Sequence, residues 1–212
     1  MSSSLAVLAD LPLFPLHTVL FPGGLLPLKI FEARYVDMAS ECLRERTPFG
    51  VCLLKSGAEV AQPDETTAVP ESVGCLALIE QCDVETVGML HIQAHGTQRF
   101  HLLSHRLEAD GLLVGMAELI PEDIPLEGGE QLAKFGACSE VLERIIATIR
   151  ERDPASLPFA EPFRFDDPSW VSNRLAEVLP IALRARQKLM ELNDAGARID
   201  IVHHYMQQHQ LL

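Results

Sequence analysis

The 212-residue chain has no C-x-x-C spacing, a single tryptophan and only 17 basic side chains against 30 acidic ones. Its five cysteines (Cys42, Cys52, Cys75, Cys82, Cys138) are odd in number, which excludes a disulfide framework and a zinc knuckle. Several lie inside apolar runs such as Val51-Cys52-Leu53 and Gly74-Cys75-Leu76, and they read as reduced, buried small hydrophobes. Lysine follows none of the 13 glycines, so no P-loop is present, and G-x-G-x-x-G after a strand, H-E-x-x-H and G-x-S-x-G are also missing. Nucleotide hydrolysis, dinucleotide redox chemistry, zincin proteolysis and nucleophile-elbow esterolysis lose their usual support, and no cofactor is implied. The scarce basic residues leave residues 1–125 with 7 basic and 17 acidic side chains, and 126–212 with 10 and 13. So acidic a surface repels phosphate backbones and anionic lipid, which makes nucleic acid and membranes disfavoured partners. No long apolar run exists either: Leu5 to Phe31 is cut by Asp10, Pro12, Pro15, Pro22 and Pro27, and Met-Ser-Ser-Ser lacks a basic n-region. Neither a signal peptide nor a spanning helix fits, and the expected location is the cytoplasm.

What the chain does have is short apolar runs bounded by Gly, Pro and Asp. Leu11 to Leu16, Leu25 to Ile30, Phe49 to Lys55, Gly74 to Glu85, Met89 to His95, Arg99 to His105 and Leu112 to Leu119 read as strands. Val87-Gly88 and Gly96-Thr97 read as turns, and Asp110-Gly111 as a type I′ hairpin turn, so residues 74–119 read as an antiparallel meander. The prolines of the first two runs place those strands at sheet edges or in irregular entries to a barrel. Between Phe31 and Pro48 the period becomes helical, with Tyr35, Met38, Ala39, Cys42 and Leu43 on one face, and this helix covers one end of the barrel.

Beyond Pro121, Pro125 and the Gly128-Gly129 break the pattern is helical. Phe135, Cys138, Leu142, Ile145, Ile146 and Ile149 form one stripe, and Asp167-Pro168 reads as an N-cap and first helical residue. Pro180 ends that helix, Ala182 to Leu192 forms another, and Asp194 caps a last one carrying Ile201, Val202, Tyr205 and Met206. Leu157 to Phe165, with three Phe, reads as an ordered loop laid on a surface. The expected class is α+β: a β domain over 1–125 with about six or seven strands and one helix, then an α-helical domain over 126–212.

Histidine is the residue type most open to chemical use. His91 and His95 lie on one face of a predicted strand, and His101 and His105 on one face of the next. Residues four apart on a strand are ~13 Å apart, so only a cross-strand pair such as His95 with His101 could share an ion; solvent-facing histidines are the simpler reading, and no metal is assigned. No spacing singles out a pair of carboxylates for acid–base work. Glu32 and Arg99, each set among aromatic residues, read as a structural ion pair in which Arg99 pins the start of the helix to the meander.

Leu11-Pro-Leu-Phe-Pro-Leu16, Val19-Leu-Phe-Pro-Gly-Gly24, Leu26-Pro-Leu-Lys-Ile-Phe-Glu32 and Arg34-Tyr35 resemble the opening signature of the N-terminal, substrate-binding domain of the Lon protease family. Phe49-Gly-Val51, Gly57-Ala-Glu59, Gly74-Cys-Leu-Ala77, Gly96-Thr-Gln-Arg-Phe100, Leu175-Ala176, Leu179-Pro180 and Lys188-Leu-Met-Glu191 extend the likeness from about residue 11 to 206. The resemblance implies a PUA-like β pseudobarrel followed by an α-helical bundle. It also implies a bacterial, stand-alone protein of protein quality control, without the ATPase and peptidase domains, that is not an enzyme. Such a module recognises unfolded or apolar polypeptide clients, or a protein partner as an adaptor, in a groove between barrel and helices. Phe31, Tyr35, Phe49, Met89, Phe100 and Met116 are the residues first expected to bind peptide; none is catalytic. The alternative is a small-ligand-binding or hydrolytic protein that uses barrel-face carboxylates. RNA binding, raised by the PUA-like architecture, is opposed by the acidity of the β half.

Overall fold

The computed structural model describes residues 6–57, 68–86 and 88–212. Met1 to Ser4, Ala58 and Glu59 of the Gly57-Ala-Glu59 match, and Val87 of the Val87-Gly88 turn lie outside the described residues. The chain divides after Pro121 into two compact units.

Among the described residues the first unit holds six strands and one helix: β1 (Val7–Leu16), β2 (Leu25–Ile30), α1 (Ala33–Glu45), β3 (Phe49–Ser56), β4 (Val69–Thr86), β5 (Met89–Leu107) and β6 (Leu113–Leu119). The strands pair in the order β2-β5-β4-β3-β1-β6, and β5 pairs with β6 as well, so β1, β3, β4, β5 and β6 close into a ring. All ladders are antiparallel except β1 with β3. The ring encloses Leu11, Leu13, Cys52, Leu76, Phe100, Leu113 and Ala117. A second apolar cluster joins Tyr35, Met38, Ala39 and Cys42 of α1 to Phe14, Phe49, Val51, Cys75, Ile92 and Ala94 of the strands. Leu43, read as part of that buried stripe, is exposed at its margin.

Seven predicted runs become six strands because residues 89–107 form one continuous strand with no turn at Gly96-Thr97. The glycine is needed for a different reason. Phe21-Pro22-Gly23-Gly24 forms a turn in which the Gly24 N–H donates to the Phe21 carbonyl and Gly23 takes φ 74°, the type II arrangement. That turn docks on β5: the Gly23 N–H donates to the Gly96 carbonyl at 2.7 Å and the Gly96 N–H to the Gly24 carbonyl at 2.8 Å. A Cβ on residue 96 would lie 2.2 Å from the Phe21 oxygen. Gly96 therefore serves close backbone approach, which local sequence does not reveal.

The β5–β6 connection also differs from the expected type I′ turn. Only Gly111 has positive φ there, at 86°; the Gly111 N–H donates to the Glu108 carbonyl, and the Leu112 N–H to Asp110 Oδ1. This is a three-residue loop with glycine in the left-handed position, and the Asp110 carboxylate holds it. The expected edge position holds for β2, which among the described residues pairs with β5 alone. β1 instead lies between β3 and β6, yet these pairings overlap only at Leu13. Pro12 is paired only toward β6 and Pro15 only toward β3, so each proline keeps one side on which its missing N–H costs no ladder bond.

The second unit contains α2 (Gly129–Arg152), a 3₁₀ turn (Pro154–Ser156), α3 (Pro168–Val178), α4 (Leu183–Glu191) and α5 (Ala195–Gln208). α2, α3 and α5 pack on one another through Cys138, Leu142, Ile146, Val171, Leu175, Ile199, Val202 and Met206. The Asp167 carboxylate accepts the Ser169 and Trp170 N–H groups with Pro168 in the first turn, and Asp194 caps α5 in the same way through Gly196 and Ala197. Phe159, Phe163 and Phe165 gather around Trp170 at 5.7–6.4 Å between ring centroids, so the aromatic loop is ordered by its own rings. Of the apolar residues read on the last helix, Ile201 is exposed, and Ile199 lies in the core.

Candidate functional site

The residues expected to bind peptide divide by burial. Phe49 and Phe100 are fully enclosed and Tyr35 nearly so, which makes them framework. Tyr35 stacks on Phe14 at 3.9 Å between centroids, and Phe49 tilts against the same ring. Phe100 fills the ring interior because Gly50 and Gly74 have no side chain: a Cβ on either would lie within 2.8 Å of the Phe100 Cζ. The remaining three reach the surface. Phe31 is 56% exposed at the β2–α1 junction, just beyond the last β2–β5 pair, Ile30 with Leu90, and the half-buried Met89 begins β5 at the same end of that ladder. Met116, 46% exposed on β6, is in register with Ser104 of β5. The candidate surface therefore comprises Phe31 with Met89 at one end of β2 and β5, and Met116 on the β5–β6 ladder.

Arg34 ties the start of α1 to the β5–β6 connection. Its Nη1 donates to the Gly111 carbonyl at 2.7 Å, its Nη2 pairs with Glu32 Oε2 at 2.8 Å, and its guanidinium sits 4.6 Å from the Tyr35 ring centre. The signal available in sequence was a guanidinium one residue before an aromatic in a first helical turn. Arg99 is buried on β5, where it is in register with Cys75 and its carbonyl accepts the Ile120 N–H. A charge enclosed at that depth requires partners.

His91, His95, His101 and His105 all lie on the one long β5, so no hairpin at Gly96 brings His95 across from His101. His95 Nδ1 sits 2.9 Å from Glu80 Oε1, and His91 is in register with Asp83. Among the described residues no three His, Cys, Asp or Glu side chains converge on a point where an ion could bind. Burial pushes the Cys52 and Cys138 thiols up to about 12 and raises Cys42, which leaves them poor nucleophiles. Among the described residues no helix is long and apolar enough to cross a membrane.

The chain resembles a Lon protease of Xanthomonas oryzae, 26% identical over 95% of this chain but only 23% of that protein's length, and one of Phenylobacterium zucineum, 25% identical over 92% and 24%. It thus spans about a quarter of the curated relatives it matches. Cereblon of Xenopus tropicalis is 28% identical over 54% of the chain. Among solved structures, a Lon N-terminal domain protein from Xanthomonas campestris is 32% identical, with a TM-score of 0.70 covering 92% of this chain and 97% of that one. The N-terminal domain of a Mycobacterium avium complex Lon protease, 17% identical, shares the fold at a TM-score of 0.63. The family model described as the ATP-dependent protease La (LON) substrate-binding domain matches residues 10–208, and the chain belongs to that family.

Proposed function

We propose that this protein is a non-enzymatic polypeptide-recognition module that binds unfolded or apolar segments of client chains, or docks on a partner as an adaptor. The observation that carries the reading is the family match across residues 10–208. The apolar side chains left outside the core give it a physical means. Phe31, at the β2–α1 junction, and Met116, on β6, are large and exposed, so burying them against a client removes apolar surface from water. The chain also lacks the P-loop, H-E-x-x-H and G-x-S-x-G motifs.

The test is fluorescence anisotropy with labelled, reduced and carboxymethylated α-lactalbumin, a permanently unfolded chain. The expected result is saturable binding that ATP does not alter, weakened several-fold in Phe31→Ala and Met116→Ala, with the probe recovered intact. Absence of binding, or cleavage of the probe, overturns the reading.

A further inference from the structure

We infer that the distal half of β5, Leu102–Leu107, is an open sheet edge at which an extended, uncharged and apolar segment of a client adds as a further strand; this rests on the polypeptide-recognition reading above. β4 pairs with β5 only as far as Val73 with His101, while β4 residues Val69 and Pro70 are paired to β3. From Leu102 onward β5 is held by β6 on one side, and among the described residues no strand pairs with its other edge. An edge of this kind presents a row of backbone donors and acceptors whose natural complement is another extended backbone.

Among the described residues β2 is a second strand with an unpaired edge, and the contrast between the two singles out β5. β2 carries Pro27 and Lys29, both exposed, and residues of these types obstruct strand addition. Leu102–Leu107 contains neither proline nor lysine; its ladder with β6 shifts register once, between Leu102 and Ser104, and runs regularly from Ser104 to Leu107. Its one formal charge, Arg106, is engaged by Asp10 at 2.8 Å and Glu108 at 2.7 Å, so Leu102 to His105 is left uncharged and selects against charged segments. Leu103 and Leu107 are 54% and 52% exposed, and Leu102 is half-buried against the ring core. Met116 lies across the ladder opposite Ser104, so apolar side chains flank the edge. Recognition through backbone bonds is indifferent to side-chain identity, which suits a module that meets many unrelated unfolded chains.

The experiment uses the full chain and the same carboxymethylated α-lactalbumin. Amide hydrogen exchange is followed over residues 102–107 with and without probe, and binding is compared for wild type, Leu103→Lys/Leu107→Lys and the control Ile201→Lys, an exposed position on α5. The inference expects slowed exchange at 102–107 in wild type, at least tenfold weaker binding in the double variant and affinity within twofold of wild type in the control. Unchanged exchange at 102–107 together with undiminished binding by the double variant overturns the edge inference and leaves polypeptide recognition standing. No binding by wild type overturns both. The exchange measurement needs no substitution, so it decides the question even if the double variant fails to fold.

Discussion

Individual residues differ in whether their role is set locally or by something distant in sequence. Gly96 belongs to the second kind. Gly96→Ala drives a methyl group into the Phe21 carbonyl, and the expected cost is about 1–3 kcal/mol in urea denaturation, because the Phe21–Gly24 turn must move. Arg34→Ala removes the bond to the Gly111 carbonyl and the stacking on Tyr35; a loss of about 1–2 kcal/mol is expected, with only partial recovery in Arg34→Lys, which cannot fork between Glu32 and Gly111. Of the five thiols, Cys82 alone is not buried, so a native thiol titration at pH 8 should count one reactive cysteine and a denatured one five. In the unfolded chain a cysteine ionises near its ordinary 9.0, whereas folded Cys52 and Cys138 hold their protons to about 12. The unfolded state therefore binds fewer protons between these values. Stability present below pH 9 is lost as pH climbs toward about 12, and the urea midpoint should fall over that window.

Secondary elements with local signals were legible in sequence. Asp167-Pro168 and Asp194 announce helices because a carboxylate cap acts within three residues of itself, and Asp167→Ala or Asp194→Ala should each cost about 1 kcal/mol in chemical denaturation. The α1 stripe Tyr35, Met38, Ala39 and Cys42 was legible for the same reason: helical period exposes a face without reference to what covers it. The long β5 was not legible. Its glycine resembles a turn when only its neighbours are considered, and the backbone that demands it lies some seventy residues earlier in the chain. The candidate site shows the same division. Aromatic and methionine side chains could be picked out, but which of them face water depends on glycines 50 and 74 making room for Phe100 and on Phe14 receiving Tyr35. Leu103 and Leu107 carry no sequence signal for exposure, because the pattern of β5 does not say where β4 leaves it.

Each of the two units is secured by contacts between residues far apart in the chain. In the second, Arg198 is enclosed: its Nε donates to Ser172 Oγ at 2.9 Å, its Nη1 to the Leu192 carbonyl at 3.1 Å, and its Nη2 pairs with the buried Asp123 carboxylate. Asp123→Ala strands that guanidinium, with an expected loss of about 3–5 kcal/mol, whereas Asp123→Leu with Arg198→Met, which removes both charges, should recover much of it in thermal unfolding. In the first unit, the ring joins the first and last strands of that unit: Val7 of β1 faces Glu118 of β6, and β6 also seals β5. During synthesis the amino-terminal strand emerges from the ribosome early and then waits, because its antiparallel neighbour is among the last parts of the unit to be made. Until that neighbour arrives the half-built barrel has two raw flanks.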